Sequence, residues 1–167
     1  MNPLGDKLQL FYNEVDSQSQ RLAEVHAERL QCQRGCSSCC VDGITIWNVE
    51  AENIRQNFAE LLINDTPNTR GGCAFLDENG GCRIYQSRPY VCRTQGLPLR
   101  WLDEIENEIY ELRDICPLNE NGIPIEELDE KQCWTIGSAE AKLGVLESEF
   151  DKGEMRRVAL RELFGNS

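Results

Sequence analysis

The chain holds one histidine, His26, among its 167 residues. That leaves no histidine cluster to ligate a metal and no Cys–His pair for nucleophilic catalysis. A glycine-rich phosphate loop is also missing, as is a pair of carboxylates in contrasting settings. Apolar runs are short: nowhere do eighteen such residues follow one another, so a membrane span is not expected. The opening MNPLGDKLQLFYNEVDSQSQ has neither an uninterrupted apolar core nor a small-residue cleavage site. No signal peptide is expected, and the expected compartment is the reducing cytoplasm. Positive charge is scarce, with 17 Lys and Arg against 29 Asp and Glu. A net charge of −12 offers no basic face to phosphates, so nucleic acid is not an expected partner. No internal repeat or low-complexity tract is present.

What remains is globular in kind. Hydrophobic residues make up 40% and charged residues 28%, and the length suits one domain with a real core. Charge is unevenly spread. Residues 70–100 carry five arginines against two acids, whereas 101–130 carry eleven acids against Arg113 alone. The acidic stretch reads as a solvated surface or as a docking face for a redox or protein partner.

The pattern predicts an α+β fold, a single domain over 1–167. Leu4, Leu8, Phe11, Val15, Leu22, Val25 and Arg29 recur at helical steps and predict a helix over 4–30. His26 flanks that stripe as a packed or surface residue. ITIW (44–47) predicts a strand, and Asn48 a cap for a second helix with Ala51, Ile54, Phe58 and Leu61 inward. CAFL, DENGG and CRIY predict a hairpin with Asn79-Gly80 at positive φ, and Pro89 opens a short helix or turn. WLDEIENEIYELRDI is ambiguous between a strand pair and a helix. Ser138 can cap a last helical region over 138–164, broken or not at Gly153. Its faces would be Ala139, Leu143, Leu146 and Phe150, then Met155, Val158 and Leu163.

The cysteines stand out against this frame. There are nine, an odd number, arranged as Cys32-x3-Cys36-x2-Cys39-Cys40, then Cys73-x8-Cys82-x9-Cys92, then Cys116 and Cys133. In a reducing setting such a set points to metal rather than to disulfides, and a Cys39–Cys40 bridge would close a strained ring. Zinc and iron–sulfur clusters both need several thiolates on one point. Adjacent thiols serve one metal only in a bent loop; otherwise they reach two metals, or one of them is no ligand.

Cys32-x3-Cys36-x2-Cys39 resembles the cluster loop of radical S-adenosylmethionine enzymes. Here it follows a helix, and the strand–helix alternation of their barrel is missing. Taken whole, Cys36-x2-Cys39-Cys40, then Cys73, then CRIYQSRPYVCR (82–93), resembles the YkgJ-like cysteine-cluster family of zinc- or iron-chelating domains, over about residues 32 to 116. That resemblance implies a metal-stabilised core, 32–116, between the helices 4–30 and 138–164. Its implied ligands are Cys32, Cys36, Cys39, Cys40, Cys73, Cys82, Cys92 and Cys116, with Cys133 outside the pattern. Arg34, Arg83, Arg88 and Arg93 lie near these cysteines and could offset thiolate charge, and Tyr85 could donate a hydroxyl. Adjacent cysteines and the arginines favour an iron–sulfur cluster over Zn²⁺. The expected roles are electron transfer, redox sensing or cluster handling, against a structural zinc module. The same arrangement also resembles part of the flagellin lysine methylases, although this chain shows no separate cofactor-binding domain.

Overall fold

Leu8, Phe11, Tyr12 and Val15 stand three and four residues apart and are all buried, which makes α1 (Pro3–Val25) an amphipathic helix. A computed structural model describes residues 3–165, with side chains from Gly5 onward, so Leu4, expected on this face, lies outside the described side chains. The helix is shorter than the expected 4–30. It ends at Val25, which is exposed, and the chain then turns through 26–29. The cause is a pair of buried side chains that reach a distant loop. His26 Nε2 donates to Gln132 O at 2.6 Å, and Arg29 Nη2 donates to Ile123 O.

β1 (Thr45–Trp47) falls within the expected strand, and α2 (Asn48–Asn57) follows at once. Asn48 is the first residue of that helix, not its cap. Two carboxylates do the capping instead: Glu147 Oε2 accepts the Val49 N–H at 2.8 Å, and Glu50 Oε2 accepts that of Trp47 at 3.3 Å. Ala51 and Ile54 are buried, with Phe58 and Leu61 packed beside them as the chain enters α3 (Ala59–Asn64).

The expected hairpin at 73–85 is not formed as strands. One bridge, Leu76 to Cys82, is all the pairing it has. The Asp77 carboxylate accepts the amides of Asn79 and Gly81 at 2.8 and 2.7 Å, and Arg83 Nη2 donates to Thr66 O and Ala74 O. Side chains thus satisfy backbone groups that a ladder would have paired. Of Asn79 and Gly80, only the glycine takes positive φ, at 74°.

α4 (Tyr90–Arg93) starts directly after Pro89. The ambiguous acidic stretch is a strand pair, β2 (Leu99–Ile105) and β3 (Glu108–Asp114). Its two-residue turn, Glu106 and Asn107, has φ of 54° and 66°, the left-handed pair that a tight hairpin requires. β4 (Trp134–Thr135) joins β2 in parallel, giving the order β3–β2–β4.

α5 (Ser138–Phe150) also stops short of the expected 138–164, and Ser138 is its first residue, not its cap. The Glu140 carboxylate accepts the Gly137 N–H at 2.5 Å. Beyond Phe150 the Asp151 carboxylate accepts Arg156 Nε and Nη2 at 2.8 and 2.7 Å, across a turn with positive φ at Lys152, Gly153 and Met155. That turn sends the chain back as β5 (Arg157–Ala159), antiparallel to β1. Met155 and Val158 therefore extend no helix face, and Leu163 sits in a final 3-10 turn, Leu160–Leu163. The class is α+β, and no helix among the described residues is long and apolar enough to cross a membrane.

Two apolar cores result. One gathers Ile46, Ile54, Phe75, Ile84 and Phe164; the other gathers Leu8, Phe11, Val49, Trp134 and Leu143. Glu50, buried on α2, ties α1 and α4 to this frame: its Oε1 accepts Tyr12 O–H at 3.0 Å and Tyr90 N–H at 2.7 Å. Glu50→Ala strands both donors and the Trp47 amide, at about 1–3 kcal/mol each. Urea unfolding should show a loss of about 3 kcal/mol or more, while exposed Glu60→Ala should stay within about 0.5 kcal/mol of the parent.

Candidate metal centre

The thiols are delivered by irregular chain that short turns hold in place. In the loop between α1 and β1, the Cys36 N–H reaches Gln33 O and the Cys40 N–H reaches Ser37 O, both at 2.9 Å. Cys40 O then accepts the Cys73 N–H at 2.8 Å, which fixes this loop to the second cysteine segment. The Leu76–Cys82 bridge folds Cys82 back toward it. Cys92 arrives on α4, in the first turn after Pro89.

Seven thiols consequently line one cleft of about 960 Å³: Cys32, Cys36, Cys39, Cys40, Cys73, Cys82 and Cys92. Cys116 does not line it. Cys133 is buried elsewhere, against a pocket bounded by α1, β4 and the start of α5. All nine cysteines are free thiols. The seven are spread over the cleft walls: among the described residues, no three Cys, His, Asp or Glu side chains are drawn tightly enough together to grip a single ion as they stand.

Ionisation is strongly perturbed here. The Cys39 thiol is pulled down to about 6 by a hydrogen bond from Cys40, whose own ionisation is pushed far up in consequence. Burial raises Cys73 and Cys82, and takes Cys92 up to about 12, with the charges of Cys73 and Cys82 adding to it. Five thiols thus oppose one another's ionisation or compete for it. A soft or borderline cation suits this donor set, and zinc and iron both qualify. The cleft wall also carries a buried hydroxyl, Ser19 Oγ, that has no hydrogen-bond partner among the described residues.

Arg34, Arg88, Arg93 and Tyr85 line the cleft, as expected of companions to the thiols. Arg83 does not; it is committed to Thr66 and Ala74 and lies over the Phe164 ring. Arg93 is nearly enclosed. It stacks on Tyr12 at 3.8 Å and donates to Asp16 at 2.5 Å, Arg88 O at 2.9 Å and Gln86 O at 3.3 Å. Arg88 is less tightly held, 4.2 Å above the Tyr85 ring and 3.6 Å from Asp16. Asp16, Ser19, Gln20 and Ala23 form the α1 wall of the cleft. Their helical spacing is visible in the sequence, but nothing there ties a polar flank of α1 to cysteines beyond it.

Thiols ligate metal as thiolates, so a metal taken up by Cys73, Cys82 and Cys92 would displace their protons at neutral pH. Affinity should therefore climb with pH through the neutral range, about tenfold per pH unit for each ligand still protonated. Chelator competition at stepped pH checks the slope, and a flat profile would remove these thiols from the ligand set.

No match was found among curated proteins or among solved structures. Residues 31–117 do match a family model, CxxCxxCC, described as "Putative zinc- or iron-chelating domain". The matched segment contains all seven thiols of the cleft, and metal chelation agrees with that thiol set. The chain belongs to this cysteine-cluster family of metal-chelating domains.

Proposed function

We propose that the cleft holds an iron–sulfur cluster and that the protein works in electron transfer, redox sensing or cluster handling within a reducing compartment such as the cytoplasm. The observation that carries this reading is the number of thiols on one cleft, seven, with three arginines beside them. A single zinc ion draws four sulfurs onto one atom, at about 2.3 Å each. A multi-iron core takes its thiolates on different irons, and its negative charge suits arginines beside a larger thiol set. We assign Cys39, Cys40, Cys73, Cys82 and Cys92 as the donors that respond to one another, with Cys32 and Cys36 on the same walls. The cluster would supply one-electron chemistry. Arg34 and Arg88 would offset its negative charge, while Arg93 mainly anchors α1 through Asp16.

The β2–β3 hairpin would serve as the docking element. Its outer half exposes Asp103, Glu104, Glu106 and Glu108 together with Leu102, Ile105 and Ile109, a surface suited to a basic redox partner. A structural zinc module is the second reading. It is favoured by the scarcity of regular structure between α3 and α4, where one short 3-10 turn, Tyr85–Ser87, interrupts loop.

Protein purified without oxygen should be brown, with iron and acid-labile sulfide in similar amounts. Stoichiometric zinc, with no iron uptake on anaerobic reconstitution, would overturn the cluster and favour the second reading. Loss of the Arg88 cation should lower the reduction potential, because a nearby positive charge favours the more negative, reduced state. Arg88→Gln should shift it by roughly tens of millivolts, moderated by Asp16, with metal content unchanged. Protein-film voltammetry reads the shift.

A further inference from the structure

Asn119 lies two residues beyond the family-matched segment, yet it is fully buried and reaches back to the first cysteine. Its Nδ2 stands 3.4 Å from Cys32 Sγ and donates to Gly96 O at 2.8 Å. Its Oδ1 accepts the Gln31 N–H at 2.8 Å, so both ends of the amide are fixed and its orientation is determined. The Asn119 N–H bonds to Cys116 O at 2.8 Å, within the turn Pro117–Asn119. That turn brings the amide of Asn119, and not the Cys116 thiol, to the thiol set. Gly96 closes on the same flank of the Cys32 sulfur as Asn119. The glycine has φ of 90°, and any side chain there would run into Sγ.

We propose that Asn119 is a positioning residue of the metal centre: with Gly96 leaving room for the sulfur beside it, its N–H···S bond holds Cys32 in place as a ligand and offsets thiolate charge. Cys32 needs such help, because it is the exposed member of the set and its loop makes few backbone bonds of its own. An N–H···S bond to a ligating thiolate tunes both its orientation and its donor strength. The reading rests on metal binding by the cysteine cleft and is the same for zinc and for iron.

Two measurements test it on the full-length, metal-loaded protein. Asn119→Asp keeps the acceptor for Gln31 and removes the donor. Chelator competition should show apparent metal affinity falling about 10- to 100-fold. In a Cys32→Ser background the same substitution should change affinity little, because the sulfur through which it acts is gone. Equal losses in both backgrounds, or no loss in either, would overturn the proposal and leave Asn119 a packing residue. Where Asn119→Asp does not fold, the parent protein decides. Reloaded with NMR-active cadmium, it should show scalar coupling between the metal and the Asn119 side-chain amide protons. An uncoupled Asn119 amide, beside other amides that do couple, would refute the bond. Because cadmium reports the hydrogen bond whichever metal is native, failure here is separable from failure of the iron–sulfur reading.

Discussion

One buried carboxylate locks α1 and α4 onto α2. Glu50 accepts from Tyr12 on α1, from Tyr90 on α4 and from the Trp47 amide ahead of its own helix. An apolar contact between these elements would tolerate sliding, whereas three directed hydrogen bonds inside a dry core do not. The consequence is functional. Cys92 rides on α4 and Asp16 on α1, so the network that fixes these helices also fixes two walls of the thiol cleft. Arg93 extends the same node outward by stacking on Tyr12 and pairing with Asp16.

The cleft is expensive to build without a cation. Burial raises the ionisation cost of Cys73, Cys82 and Cys92, and neighbouring thiols add to it at Cys82 and Cys92. A soft metal reverses the sign of that interaction, turning mutual repulsion into shared coordination. A metal held there would also cross-link cysteine segments that have little regular structure of their own. The framework around it is conventionally folded, by apolar burial in two cores and by capping carboxylates, of which Glu147 reaches α2 from a distant helix.

Local chemistry was plain in the chain. The turn after Pro89, the strand at 45–47, the buried stripe of α1 through Val15 and the thiol spacing could all be read from neighbouring residues. Element ends could not. α1 stops where His26 and Arg29 find carbonyls at Gln132 and Ile123, and α5 stops where Asp151 meets Arg156. The first pair of bonds joins residues some hundred positions apart, and no periodicity carries that information. The hairpin expected at 73–85 failed for a related reason: Asp77 and Arg83 satisfy the backbone with side chains, which strand propensity does not register.

By itself the sequence determined the donor type, the segments that carry it and the family, because thiol count and spacing are local properties of the chain. Only the tertiary structure decided which cysteines share a cleft, that Cys116 and Cys133 lie off its walls, and that Asp16, Ser19 and Asn119 lie beside the thiols. Those outcomes depend on where helices and loops from both ends of the chain come to rest. Burial and hydrogen bonding between distant segments fix that, and spacing along the chain does not.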